Sequence, residues 1–317
     1  MTAVRLGTRG SRLALTQSEW IAGLLRERHP GLEVELVRIR TSGDSIRDVP
    51  LGPELGQAFF TKEIEDALLD GRIDLAVHSC KDLATAMPEG LRIGAIPKRE
   101  DPRDVLVSGY ASLGALPKGA TVGTSSPRRK GFLRAARPDL DVRDQRGNVP
   151  TRLQAVDDGV VDAVVLAAAG LARLGFAARA TEMIDPHVML PAAAQGALAV
   201  QVRRQDERME ALTATLDDPA TRRTVEAERA CLSRLEAGCQ APVGVLATLG
   251  ADGMLDVQAA LVTPEGVLRA ERSEGPDLSS DEVGRALAES LLQQAGLPSL
   301  RDAAWAGPAP RTPDSGT

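Results

Sequence analysis

The chain is short of aromatic side chains and of cysteine. Its 317 residues include one tyrosine, two tryptophans and four phenylalanines, and its three cysteines, Cys80, Cys231 and Cys239, show no close paired spacing. An odd, scattered set of thiols excludes the disulfide framework of small secreted domains and fits a reducing, cytoplasmic setting. So few rings give no stacking platforms for nucleic acid. With 44 acidic against 38 basic residues, the net charge of −6 leaves no general polyanion-binding surface, so any basic site must be local. No apolar run approaches bilayer length, and the start MTAVRLGTRGSRLAL lacks a basic segment followed by an apolar core, so neither a membrane span nor a signal peptide is expected. The thiols and the three dispersed histidines (His29, His78, His187) form neither CxxC nor HExxH, so no metal site is expected. Neither GxxxxGK[ST] nor GxGxxG occurs, so nucleotide binding has no local support.

What is present is an ordinary globular balance, 43% hydrophobic and 26% charged, at a length that suits two or three domains. Residues 4–8 read as a strand. The turn Arg9-Gly10-Ser11 follows, and then an amphipathic helix over 13–28 that stops at His29-Pro30-Gly31. A second strand spans 32–39, and the Gly/Pro-rich stretch 43–57 reads as a long loop, with a lid as one reading. Thr61 stands where a helix to Asp70 would be capped. DGRIDLAVHS over 70–79 then forms a buried strand ending at Cys80-Lys81-Asp82.

The same grammar returns further on. TVGT over 121–124 leads into Ser125-Ser126-Pro127-Arg128-Arg129, and DGVVDAVVLA over 158–167 echoes DGRIDLAVHS. The spacing between the paired turns (Gly7 to Gly123) is 116 residues and that between the paired strands (Asp70 to Asp158) is 88, so the first unit holds 28 more, consistent with its long loop. Two similar α/β lobes are therefore expected, with ligands bound in the crevice at the carboxyl ends of their strands. ALAVQVR over 197–203 is read as a strand crossing back to the first lobe. Beyond Pro219 a helix to Leu235, alternating segments over 243–249, 255–262 and 267–272, and a helix over 280–294 make a small α+β domain. The Pro-rich end, 307–317, reads as a disordered tail.

The chemistry gathers at the strand ends. In GTSSPRRK, Ser126 suits an N-cap and Pro127 the first helical position. Arg128 and Arg129 add charge to a helix start that already attracts anions, so a phosphate or carboxylate belongs there. The plain alternative is a capped surface helix with two solvated arginines. Thr8-Arg9-Gly10-Ser11 is the matching turn of the first lobe. Arg146, Arg152 and Arg173 add guanidiniums near the same rim, each able to hold a carboxylate bidentately or to form a surface salt bridge. Asp82, taken alone, reads as a helix cap or a partner of Lys81, or as a cleft carboxylate that can move a proton and stabilise a developing cation. His78 reads as a packed strand residue. In LEAGCQAPVG small neighbours surround Cys239, which by itself reads as an inert buried thiol.

Taken together, TRGSRLAL, HSCKDL, GTSSPRRK, RGNV with TRL, LAAAGLARLG, LPAAAQGAL and LEAGCQAPVG resemble, in order and approximate spacing, the porphobilinogen deaminase (hydroxymethylbilane synthase) family, to about residue 300. The resemblance implies two lobes like those of periplasmic binding proteins and a small C-terminal α+β domain: residues 1–98 with 196–216, residues 102–192, and residues 219–306. It implies a transferase that condenses four porphobilinogen molecules on a covalent dipyrromethane cofactor, works as a monomer and passes its product to uroporphyrinogen-III synthase. It makes Cys239 the thioether anchor and Asp82 the catalytic carboxylate. Lys81, Ser126, Arg128, Arg129 and Arg146 become cofactor contacts; Arg9, Ser11, Arg152, Arg173, Phe60 and Gln195 become substrate contacts. The loop 43–58 or the lobes would shift as rings are added. Ala84, Pro127, Pro150, Ala194 and Ala237 depart from residues frequent in the family and bear on local backbone geometry. A non-catalytic two-lobed anion binder remains the alternative, and an acyl-transfer enzyme using a free Cys239 lacks an evident histidine partner.

Overall fold

The computed structural model describes residues 3–41, 61–237 and 241–301. Phe60, Cys239, the loop 43–58 and the tail 307–317 lie outside the described residues. In chain order the elements are β1 (Val4–Thr8), α1 (Arg12–Arg28), β2 (Val34–Arg38), α2 (Lys62–Leu69), β3 (Leu75–Ser79), β4 (Leu91–Ala95), β5 (Asp104–Ser108), β6 (Thr121–Gly123), α3 (Pro127–Ala136), β7 (Asp141–Arg143), α4 (Val149–Asp157), β8 (Ala163–Ala167), α5 (Ala168–Arg173), β9 (Glu182–Met183), β10 (Leu198–Arg203), α6 (Glu207–Ala214), α7 (Pro219–Leu235), β11 (Val243–Leu249), β12 (Leu255–Thr263), β13 (Gly266–Glu274) and α8 (Ser280–Ala295).

Two five-stranded sheets share one plan. The first runs β2-β1-β3-β10-β4 and the second β7-β6-β8-β5-β9. In each, the first three strands are parallel and the fourth, β10 or β5, is antiparallel to both neighbours. These antiparallel strands are the ones the chain reaches by crossing between lobes, so 197–203 does return to the first sheet. Apolar side chains alternate to both faces. Leu6, Val77 and Val200 pack with Ile21 and Leu25 of α1, while Ala76 packs with Ile64 and Leu68 of α2 on the other side.

The repeated Asp-Gly pair has a physical reason. Asp70 and Asp158 are the C-caps of α2 and α4, and Gly71 and Gly159 follow, each with φ of +68°. The next N–H closes back onto the helix in both, from Arg72 to the Ala67 carbonyl and from Val160 to the Ala155 carbonyl, both at 2.9 Å. This is the left-handed helix stop that glycine adopts without a Cβ penalty. Four residues past each Asp, Asp74 and Asp162 accept the backbone N–H of Arg5 and Thr121, pinning the start of the neighbouring parallel strand. Thr61 precedes α2 as expected, but its hydroxyl donates to Glu65 instead of capping the helix, because its backbone is already helical.

The third unit packs α7 and α8 on an antiparallel sheet β11-β12-β13. It touches both lobes. Leu246, Ala260 and Val262 join the core of the second lobe around Phe132 and Leu133, and Val245 donates to the Pro191 carbonyl. Toward the first lobe, Val225 packs with Cys80, Leu83, Ile96 and Ala197.

The segments linking the lobes meet at one carboxylate. Glu228 of α7 is 0% exposed and takes a two-pronged pair from Arg99 (2.6 and 2.9 Å), the Ala194 N–H, and the Ala247 N–H of β11. Arg99 also donates Nε to the Gln195 carbonyl. Ala194, where the resemblance has glycine, keeps φ of +59° with its N–H turned onto Glu228. Gly196 must be glycine, since a Cβ there would lie 2.3 Å from the Glu100 carbonyl oxygen. Removing one partner of such a pair leaves the other charged and buried. Glu228→Gln is therefore expected to cost about 3–5 kcal/mol in urea unfolding; a loss below about 1 kcal/mol would show that the pair is not the joint.

Candidate functional site

The matching turns of the two lobes build the site from the same local grammar. In the first lobe, Ser11 has extended backbone and its Oγ accepts the Ala14 N–H at 3.2 Å, capping α1. In the second, Ser126 does the same for α3 through the Arg129 N–H, with Pro127 in the first turn. Asn148 caps α4, where Pro150 also sits in the first turn and costs no hydrogen bond. Both serines thus serve as helix caps, and α1 reaches the opposite lobe, with the Arg12 guanidinium 5.6 Å from the ring centre of Phe176.

Beyond β3 the chain makes a single 3-10 turn, Cys80–Asp82. Its base is fixed: the Cys80 N–H donates to the Ala197 carbonyl, and Ser79 and Gln17 exchange side-chain hydrogen bonds at 3.0 and 3.2 Å. Cys80 is buried, and burial pushes its thiol pKa up, which leaves it unreactive near neutral pH. Lys81 is half-buried and Asp82 exposed, so the carboxylate stands open at the end of a strand. His78 is buried against Gln201 at 3.0 Å, and burial pushes it down to about 4, so it is neutral at pH 7.

The arginines of the α3 turn are not solvated. Arg128 and Arg129 are 5% and 6% exposed and fold back onto Asp104, the first residue of β5, itself 0% exposed. Arg128 Nη1 lies 2.7 Å from Asp104 and 2.6 Å from the Leu190 carbonyl. Arg129 holds Asp104 through Nε and Nη2 at 3.0 and 2.7 Å and the Val165 carbonyl through Nη1. The plain reading of a surface helix is thereby overturned: an aspartate on the neighbouring strand draws both forks inward. The two guanidiniums hold the Asp104 carboxyl well below the ordinary range, against burial.

A hydrogen-bonded chain joins this cluster to the other lobe. Gln195 donates to Asp104 at 3.0 Å and to the Pro102 carbonyl at 2.8 Å, and its Oε1 accepts from Lys81 Nζ at 3.3 Å. Lys81, Arg128 and Arg129 therefore share one neighbourhood with the buried carboxylate of Asp104. Lys81 is pushed down to about 8, first by burial and then by Arg129 and Arg128, with Asp82 and Asp104 opposing. Arg152, bonded to the Gly147 carbonyl, is pushed down to about 10 by burial and by Arg129. Arg173 reaches the Gly196 carbonyl at 2.7 Å, where burial lowers it. Arg9 is half-buried and its charge acts on His78, whereas Arg146 is exposed, with its charge acting on Asp144. A cluster of cations of this kind fits a ligand bearing several carboxylates.

Sequence reasoning missed Asp104, Arg99 and Glu228. Glu228 was discoverable, because it falls on the apolar stripe of α7 with Thr221, Val225, Cys231 and Leu235, a face on which a carboxylate demands a partner. Asp104 opens the apolar run DVLVS and carries a weaker version of that signal.

The family models and the curated relatives point to one family. The family described as "Porphobilinogen deaminase, dipyromethane cofactor binding domain" matches residues 4–211, and "Porphobilinogen deaminase, C-terminal domain" matches residues 222–293. The chain is similar to the porphobilinogen deaminase of Syntrophobacter fumaroxidans, at 47% identity over 292 residues, 91% of this chain and 94% of that one. It is similar to that of Syntrophotalea carbinolica at 48% over 292 residues, with 92% and 93% covered. Among solved structures, the periplasmic VFT2 domain of Bordetella pertussis BvgS shares 19% identity at a TM-score of 0.40, covering 68% of this chain and 86% of that one. The aliphatic sulphonate binding protein SsuA of Escherichia coli shares 19% at 0.38, covering 73% and 70%.

Lys81 sets a pH dependence. With its pKa near 8 instead of the usual ~10.4, the ammonium loses its proton as pH rises past about 8. Affinity for a carboxylate ligand is expected to hold near pH 7 and weaken above about 8, and Lys81→Arg is expected to remove that alkaline limb. Folding stability runs the other way: above about pH 8 the unfolded chain keeps this proton longer, so the Lys81 contribution to stability rises with pH. Ligand titrations and urea unfolding between about pH 6.5 and 9.5 separate the two. Affinity that stays flat to the top of that range in the unsubstituted protein would refute the assignment.

Proposed function

The chain belongs to the porphobilinogen deaminase family, and from that premise we propose that Asp82, Lys81 and the guanidiniums of the second lobe carry the family's reaction in this protein. That reaction joins four porphobilinogen molecules head to tail, with loss of ammonia at each step, on a covalently bound dipyrromethane, and releases the linear tetrapyrrole hydroxymethylbilane. The observation that carries the reading is the surplus of positive charge gathered beside the Asp82 turn: Lys81, Arg128, Arg129 and Arg152, with Asp104 the buried carboxylate among them.

Each substrate ring brings an acetate and a propionate, so a growing chain adds two negative charges per step. Lys81, Ser126, Arg128, Arg129 and Arg146 hold the carboxylates of the cofactor, and Arg9, Ser11, Arg152, Arg173 and Gln195, with Phe60, hold those of the substrate. Cys239 is the attachment point. Bound there through a thioether, the dipyrromethane supplies the free α-carbon from which the chain grows. The hydrogen bonds of Arg128 to Asp104 and Leu190 both run through Nη1, which leaves Nε and Nη2 for a ligand carboxylate. Asp104 thus orients the fork without consuming it.

Asp82 does the work at the reacting bond. When the C–N bond of the aminomethyl group breaks, ammonia leaves with the electron pair and the pyrrole left behind becomes a delocalised cation. An exposed carboxylate at a strand end accepts hydrogen bonds from pyrrole N–H groups and offsets this positive charge as it forms. The new C–C bond displaces the α-hydrogen of the preceding ring as a proton, which the same carboxylate helps to remove. On this reading the protein is a transferase that acts as a cytoplasmic monomer and passes its product to uroporphyrinogen-III synthase.

The mass of the denatured protein is expected to exceed the sequence mass by one dipyrromethane, with acidic Ehrlich reagent giving colour and Cys239→Ser abolishing both. A solute-binding protein would show neither. Asp82→Asn is expected to keep the dipyrrole and the folded stability while turnover of porphobilinogen falls by roughly 10²–10⁴-fold; turnover within a few-fold of the unsubstituted enzyme would remove Asp82 from its role.

A further inference from the structure

The turn that carries Lys81 and Asp82 is held from outside its own lobe. Arg229, half-buried on α7, donates Nη1 to the Leu83 carbonyl at 3.0 Å and Nη2 to the carbonyls of Ala84 at 2.6 Å and Thr85 at 3.4 Å. Its charge also acts on Cys80, drawing the thiol pKa down against burial. The guanidinium therefore grips the chain immediately after Asp82. Residues 83–85 belong to no strand or helix, so no ladder of backbone bonds fixes their carbonyls. On the inner side the turn is tied to the crossing segment, through the Cys80 N–H on Ala197 and Lys81 on Gln195. Arg229 supplies the tie from the third unit, and Leu83, 2% exposed, packs beside it against Val225 of the same helix.

The helix α7 makes this grip consequential. Glu228 anchors it to both crossing segments, Arg229 anchors it to the Asp82 turn, and its last residue, Leu235, stands four positions before Cys239 in the sequence. One rigid element thus serves the turn that bears the reacting carboxylate and leads into the segment that bears the anchor thiol. We propose that Arg229 is a positioning residue for ring addition, acting through the backbone of residues 83–85 to hold Asp82 in register with the growing chain. This rests on the function assigned above to Asp82 and Cys239. Arginine suits the task because its planar fork spans neighbouring carbonyls, whereas a lysine ammonium is a single point donor. A misplacement of about 1 Å at a reacting centre costs up to roughly 10²-fold in rate.

The test uses the full-length holoenzyme and its Arg229→Ala and Arg229→Lys forms. Intact-mass spectrometry after rapid mixing with porphobilinogen reads the rate of each single-ring addition per cofactor-loaded molecule. Both variants are expected to keep the dipyrrole mass and a KM for porphobilinogen close to that of the unsubstituted enzyme. The per-molecule rate is expected to fall by on the order of tenfold to a hundredfold in Arg229→Ala, with partial recovery in Arg229→Lys. A merely structural role would reduce the amount of loaded protein without changing the rate of each loaded molecule. Arg229→Ala turning over at the unsubstituted rate overturns the proposal. If that variant fails to fold, Arg229→Lys decides, and a full rate without the fork overturns it equally. An unsubstituted protein lacking the dipyrrole mass and turnover would instead refute the function itself, and this proposal with it.

Discussion

One buried carboxylate holds the molecule's parts in relation to each other. Glu228 lies on a helix of the third unit, yet its partners are Arg99 and Ala194 on the two segments that cross between the lobes, and Ala247 on the neighbouring strand. Taking a charge out of water is costly, and only a near-complete set of partners offsets it. The arrangement is therefore demanding in geometry: the crossing segments and the third unit must all be in place for the carboxylate to be satisfied. The same demand explains a left-handed alanine at 194, whose N–H is committed to that carboxylate, and the close backbone approach at Gly196.

The site depends on this joint because its parts come from different places. Lys81 and Asp82 end a strand of the first lobe, Arg128 and Arg129 begin a helix of the second, and Gln195 lies on the segment between. Their charges are left partly unbalanced. Two guanidiniums hold the buried carboxylate of Asp104, and the Lys81 ammonium reaches it through Gln195. The hydrogen-bonded chain from Lys81 through Gln195 to Asp104 ties these charges together across the lobes. The two lobes are alike in plan but differ in what they bring, the first an exposed carboxylate and a half-buried ammonium at a strand end, the second two buried guanidiniums at a helix start.

Much of the fold was legible from local rules. The doubled Asp-Gly, the serine caps before α1 and α3, the prolines in the first turns of α3 and α4, and the period-two runs of β11 to β13 act within a few residues of themselves. Thr61 marks the limit of such rules: it stands at the predicted helix start, but its hydroxyl is drawn to Glu65, which belongs to a buried network with Gln201 and His78. The cations Lys81, Arg128 and Arg129 were legible as a group because they fall at strand ends, whereas Asp104, which draws two of them inward, was not.

The amino-acid order by itself determined the repeated lobes, the third unit and the list of cationic residues at the strand ends, because helix stops, caps and hydrophobic periods are settled between near neighbours in the chain. Tertiary structure alone decided which of those cations are buried, that Asp104 draws Arg128 and Arg129 inward, and that Glu228 and Arg229 tie the third unit to the crossing segments and to the Asp82 turn. Partners in these ion pairs and hydrogen bonds stand 24 to 146 positions apart. Burial and electrostatic pairing act through space, so nothing in the local pattern could assign them.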